Sequence, residues 1–267
     1  MSADTSIDPE RVAQIQAMLD TVEREENVRI LLAVESGSRA WGFPSADSDY
    51  DVRFVYVHRL EWYLTIDPGR DVLERPLIDL IDLAGWDLKK ALQLLRKSNP
   101  PLLEWLQCPI IYRERTPAAA ALRGLLPRWF SPDASFYHYL HMARRNNREF
   151  LRGDVVRRKK YLYVLRPLLA MRWLEDGRGA VPIEFAQLLE AGVHDSAVRV
   201  AIDELIQEKR RGFEQDSGPP IPEISDFIDA ELARLEGISV ERRAFAPDVE
   251  ELNGVFRAAI HEAWSSD

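Results

Sequence analysis

The chain has 267 residues, 46% of them apolar, and a net charge of −9. Its single cysteine, Cys108, excludes an intrachain disulfide, and the acidic balance argues against a polyanion binder held by overall charge. No uninterrupted apolar stretch nears the about 18 residues needed to cross a bilayer, and residues 1–10 lack the basic-then-apolar pattern of an export signal, so a cytoplasmic protein without a membrane partner is expected.

Asp8-Pro9 opens a segment, residues 9–26, in which Val12, Ile15, Met18, Leu19 and Val22 recur at helical spacing. Two strands are predicted next, VRILLAV over 28–34 and DVRFVYV over 51–57, both rich in β-branched or large apolar residues. Residues 58–70 read as a loop with one helical turn. A third strand is predicted over Asp71–Leu83, where Pro76 demotes part of it to an edge or irregular segment. An amphipathic helix over 85–99 stops at Pro100-Pro101, and residues 102–112 give a short helix and a last strand. Beyond about residue 114 helical periodicity dominates, over 117–130, 133–151, 154–176, 182–191, 194–213, 223–236 and 248–264. The expected class is α+β, with a mixed α/β domain over 1–114 followed by an all-helical domain over 115–267. No fixed-period repeat is present, which excludes a solenoid.

Asp49 and Asp51 stand at i and i+2, so on a strand their side chains emerge on one face. Like charges so placed repel unless a cation sits between them. Magnesium, with manganese as the alternative, takes oxygen ligands of this kind and completes its shell with waters and phosphates. A third carboxylate from a neighbouring strand would make a two-metal clamp for phosphoryl chemistry. Asp82 in LIDLIDLAG is the preferred candidate, placed at a strand end before a glycine, and Asp79 is the alternative. Gly37-Ser38 follows the first strand. A glycine there lets backbone N–H groups approach phosphate oxygens, the Ser38 hydroxyl adds a donor, and Arg39 can contact a triphosphate.

The order of these parts is an apolar strand, Gly-Ser, a gap of about eleven residues, then Asp-x-Asp opening a second strand. It resembles the nucleotidyltransferases of the DNA polymerase beta superfamily, with Ser36 standing where the family has a large apolar residue. The segments ESGSRAWGFPSADSDYDVRFVYV, GWDLKKALQLLRKSNPPLLEWLQCPIIY and RRKKYLYVLRPLLAMRW resemble the YcgL-type predicted nucleotidyltransferases associated with RNA repair. The resemblance implies the fold and the general chemistry. Carried over by position, it implies that Gly37 and Ser38 hold the triphosphate, that Asp49 and Asp51 ligate the metals, and that Asp82 supplies the third carboxylate.

In the helical half, Lys159, Tyr163 and Arg166 fall at i, i+4 and i+7, a stripe able to stack a base and hold phosphates. The alternative is a solvated basic helix face. Arg144, Arg148 and Arg152 make a second basic stripe. The expected activity is metal-dependent transfer of a nucleoside monophosphate from a nucleoside triphosphate such as ATP to an RNA end, a protein hydroxyl or a small molecule, with release of pyrophosphate. The rival is a non-catalytic nucleotide sensor on the same fold.

Overall fold

A computed structural model describes residues 7–115, 117–212, 217–238 and 248–265. Phe213, the predicted end of one helix, and most of the polar N-terminal decapeptide lie outside the described residues.

The fold is α+β. Helix α1 (Pro9–Glu26) starts where the Asp8 carboxylate accepts the Glu10 N–H, with Pro9 at the first turn, and ends at Asn27 in the left-handed conformation. It buries Ile15, Leu19 and Val22 against the sheet, in one cluster with Ile30, Val52, Phe54, Tyr56, Ile81 and Leu83. The sheet holds β1 (Arg29–Ser36), β2 (Tyr50–Val57), β3 (Val72–Glu74), β4 (Ile81–Asp87) and β5 (Ile111–Glu114), in the order β3-β4-β2-β1-β5. Among the described residues of this sheet only the β2–β4 pair is parallel.

The predicted third strand is two strands. The chain leaves β3 at Arg75-Pro76, turns through Asp79 and Leu80, both at positive φ, and returns as β4. β4 then runs through Gly85-Trp86-Asp87, predicted as the start of a helix. Gly85 belongs in the strand because the Phe54 ring fills its side-chain space: a Cβ there would lie 2.1 Å from Phe54 Cε2. The helix α4 (Leu88–Arg96) begins one residue after Asp87, whose carboxylate caps the Lys89 N–H.

The compact units interleave along the chain instead of meeting at residue 114. One comprises the described residues within 1–40, 48–130 and 245–267, the other those within 41–47 and 131–244. Besides the sheet, the first contains α2 (Gly37–Ala40), α3 (Leu60–Tyr63), α4, α5 (Pro100–Gln107), α6 (Ala118–Trp129) and, in the C-terminal part, the helix Val249–Trp264. That last helix packs on α4, α6 and β2; its Trp264 lies between Arg29 and Arg59 and donates to the His58 carbonyl. The second unit pairs α7 (Pro132–Phe150) with the buried α8 (Lys160–Glu175), flanked by α9 (Phe185–Gly192), α10 (Ser196–Arg211) and α11 (Pro222–Arg234). Helix α8 starts later than the predicted 154 because Val156-Arg157 form β6, paired with β7 (Ser217–Gly218). Among the described residues no helix is long and apolar enough to cross a membrane.

At the C-terminal ends of β2 and β4 a buried polar cluster forms. Tyr63 donates to Asp87 Oδ2 (2.6 Å) and accepts from the His58 N–H (3.1 Å), while the His58 ring stacks on Trp62. Burial pushes the Asp87 carboxyl up to about 6 and the His58 imidazole down to about 4. Both shifts favour the neutral form in the native state, and their effects on stability have opposite signs. The Asp87 contribution is complete below its unfolded value of 3.8 and is lost as pH rises through about 6. The His58 contribution is complete above 6.5 and is lost as pH falls through about 4. Each approaches about 3 kcal/mol, and between these limits they largely cancel. Relative to wild type, His58→Gln is therefore expected to gain stability as pH falls from 6 to 4, and Asp87→Asn to lose it. Thermal unfolding across this range checks both; parallel slopes in the two variants would contradict the assignment.

Candidate active site

The antiparallel β1–β2 hairpin sets the geometry. Its register places Ser36 opposite Asp51, so the turn that follows β1 comes back beside the carboxylate that opens β2. Gly37 has φ +60°, a left-handed backbone that favours glycine, and a Cβ at this position would lie 2.0 Å from Asp51 Oδ2. The glycine thus does two things: it makes the turn and it leaves the space that Asp51 occupies. Ser38, the second residue of the short helix α2, is largely buried, and its hydroxyl donates to Ser48 Oγ (3.3 Å).

The parallel β2–β4 register places Asp82 beside Asp51. Asp82 stands near the beginning of β4 and not at the predicted strand end, because the strand continues past Gly85. Asp79 sits at the hairpin tip, where its carboxylate accepts from Gln14 Nε2 and its carbonyl from Arg11. Asp49 precedes β2 and is exposed.

Between Asp51 and Asp82 lies Arg53, which the sequence reading did not single out. Its Nη2 donates to Asp51 Oδ1 (2.8 Å) and Asp82 Oδ2 (2.7 Å), and its Nη1 to the Asp82 carbonyl (3.0 Å). The signal was available: Arg53 is two residues after Asp51 and shares its face by the same alternation that links Asp49 and Asp51. Burial holds the Asp51 carboxyl above its ordinary value, with the Asp82 and Asp49 charges adding to that shift and Arg53 opposing it.

Two further groups brace the site from beneath. Glu35 on β1 is 1% exposed and accepts the Asp51 N–H (2.9 Å) and the Tyr112 hydroxyl. Burial pushes its carboxyl up to about 7. A lone charge inside the apolar run of β1 is a readable anomaly; Tyr112, 77 residues away on β5, carries no such mark.

Arg39 does not reach out from the turn. It donates to the Ser48 carbonyl (2.8 Å) and the Asp49 carbonyl (3.3 Å), and its guanidinium covers the Tyr50 ring at 3.9 Å. It closes the loop between the turn and Asp49 and brings a positive charge near Asp51.

In the other unit the predicted stripe is not an open helix face. Lys159 precedes α8 as its N-terminal cap and is exposed. The Tyr163 ring meets Trp41 edge-on and lies under Lys160. Arg166 is 2% exposed, donates to the Pro182 and Ile183 carbonyls and covers Trp41. Helical spacing placed these residues one turn apart but could not anticipate Trp41, which comes from the segment 41–47. That segment packs into the helical unit: Phe43 is buried against Phe185, the Phe185 N–H donates to the Trp41 carbonyl, and Arg210 to that of Gly42.

Asp49, Asp51 and Asp82 offer hard oxygen donors, the chemistry that a magnesium or manganese ion takes. Among the described residues no three acidic, histidine or cysteine side chains already converge as a cation cage. The donor set fits a divalent cation bound together with phosphate oxygens better than one enclosed by protein alone.

The chain is similar to known proteins. A chain from Bacillus subtilis (strain 168), described as uncharacterized protein YcgL, is 46% identical over 247 residues, covering 92% of this chain and 95% of that one. The crystal structure of a nucleotidyltransferase-like protein from Exiguobacterium sibiricum matches 94% of this chain and 77% of that one, at 15% identity and a TM-score of 0.34, too low to bear on the argument. The family model described as RlaP, RNA repair pathway DNA polymerase beta family, matches residues 12–258. The chain therefore belongs to this RNA repair pathway family of polymerase-beta-type nucleotidyltransferases, and it gathers Gly37, Asp51 and Asp82 at one end of the interior strands β1, β2 and β4.

Proposed function

We propose that the protein is a divalent-cation-dependent nucleotidyltransferase that moves a nucleoside monophosphate from a nucleoside triphosphate onto an RNA end. The observation that carries this reading is the gathering of Gly37, Asp51 and Asp82 by two strand registers, with Asp51 Oδ2 in the space beside the Gly37 turn.

In this reading Asp49, Asp51 and Asp82 hold the cations, magnesium or manganese. Such ions, when bound, neutralise the charge that develops on the departing pyrophosphate and make the acceptor hydroxyl a better nucleophile. Gly37 and Ser38 bring backbone close to the triphosphate, and Arg39 keeps the loop to Asp49 in place. The acceptor oxygen forms its bond to the α-phosphorus, the bond to the β-phosphate oxygen breaks, and pyrophosphate leaves. Arg53 Nη2 holds one oxygen of Asp82 and leaves the other for the cation, and the acceptor proton passes to water. Lys159 and Tyr163 contribute to nucleotide or acceptor binding, while Arg166 acts through Trp41. The exposed Arg144 and Arg148 on α7 and the family's description support RNA as acceptor.

The test is direct. The protein is incubated with each nucleoside triphosphate labelled at the α-phosphorus, with magnesium, and with separate pools of cellular RNA and protein. Label on RNA ends, lost when magnesium is chelated, is the expected result. Label on protein would move the acceptor. A thermal shift with triphosphate but no transfer to any pool would favour the sensor.

A further inference from the structure

The carboxylates that would hold the cation already share a positive charge from the chain itself. Arg53 is only 18% exposed in its side chain and fixes one oxygen of Asp51 and one of Asp82 with a single nitrogen. Its second nitrogen is bonded to the Asp82 and Val52 carbonyls, so the guanidinium is held from both strands. Arginine keeps its charge at every accessible pH, so nothing short of displacement removes it.

We infer that Arg53 is a built-in counter-ion that keeps the site's affinity for a free divalent cation low and makes cation binding depend on the arriving nucleotide. The inference rests on the reading of Asp49, Asp51 and Asp82 as cation ligands. Three points on geometry and charge support it. First, an ion bridging Asp51 Oδ1 and Asp82 Oδ2 would have to displace Arg53 Nη2, so that nitrogen competes for one oxygen of each carboxylate. Second, the formal charges of Arg53 and Arg39 (+2) offset most of those of Asp49, Asp51 and Asp82 (−3), which weakens the pull on a divalent ion until a triphosphate adds its own charge. Third, the described residues contain no converged three-donor cage, which is the expected arrangement where phosphate oxygens must complete the shell.

The experiment measures manganese affinity directly, from the electron spin resonance signal of the free ion, with and without a non-hydrolysable nucleoside triphosphate. Wild type, Arg53→Met, Arg53→Lys and Asp51→Asn are compared. Arg53→Met is expected to bind manganese alone about tenfold more tightly or better, and to lose a similar factor from the gain that nucleotide confers. Arg53→Lys keeps the charge and is expected to stay near wild type. Where Arg53→Met fails to fold by circular dichroism, Arg53→Gln carries the same expectation. Unchanged or weaker manganese binding in the charge-removing variant, with Asp51→Asn still weakening it, would overturn the role of Arg53 and leave the cation reading intact. Manganese binding insensitive to Asp51→Asn, with nucleotide present, would overturn both.

Discussion

Asp51→Asn is expected to reduce nucleotidyl transfer about 10³-fold or more, equivalent to about 4 kcal/mol of transition-state stabilisation, with little change in thermal stability. Asparagine keeps the shape of the side chain and can still accept from Arg53 Nη2 through its oxygen. What it loses is the charge. In the native state that charge is held at a cost: burial and the neighbouring Asp82 and Asp49 disfavour it, and Arg53 only partly offsets them. A neutral residue therefore fits, and the midpoint of unfolding is expected within about 3 °C of wild type, a change of order 1 kcal/mol. Asp82→Asn is expected to lose activity in the same way, because its strand register sets it beside Asp51. Asp79→Asn serves as the contrast. Its carboxylate is engaged with Gln14 at the hairpin tip, and transfer is expected to be unchanged. Full turnover in Asp51→Asn, or loss in Asp79→Asn with activity kept in Asp82→Asn, would break the assignment.

Gly37→Ala is expected to lower transfer about 10²-fold or more, through geometry alone. The added Cβ would stand 2.0 Å from Asp51 Oδ2 and 2.9 Å from its Cγ, far inside van der Waals contact. Either the turn moves or the Asp51 carboxylate rotates away, and a displacement of about 1 Å at a reacting centre is enough for a loss of this size. The positive φ adds a backbone penalty of about 1–2 kcal/mol, so the unfolding midpoint is expected to fall by several degrees. Gly42→Ala separates the two effects. Gly42 has φ +89° but nothing within 4 Å of the added Cβ, so the substitution carries strain without a clash. It is expected to lose stability and keep transfer. Equal activity losses in both variants would show that backbone strain, not displacement of Asp51, controls the site.

Much of the architecture is legible along the chain because its signals are local. Asp8 and Pro9 start α1 and the β-branched run of β2 makes a strand, each through contacts within a few residues, whereas Pro100-Pro101, read as a stop, also opens α5. Strand alternation predicted Asp49 and Asp51 on one face, but β2 begins at Tyr50 and Asp49 lies just before it. Pro76 marked an irregularity, but that the segment folds back on itself as β3 and β4 shows only in their antiparallel pairing across the turn at Asp79 and Leu80. The helical spacing of Lys159, Tyr163 and Arg166 was real, but burial under Trp41 and against two carbonyls removed Arg166 from any exposed stripe.

The amino-acid order alone determined most of the element types and the place of the Gly-Ser turn after the first strand, since propensity, capping and alternation act over one or two turns of chain. Only the tertiary structure decided that Asp82 stands beside Asp51, that Arg53 bridges them, that Tyr112 and Glu35 support the strand beneath, and that residues 41–47 join the helical unit. Each of these depends on strand register or on packing between residues far apart in the chain. Register and packing are set by what the whole core can bury, and no short window of sequence contains that information.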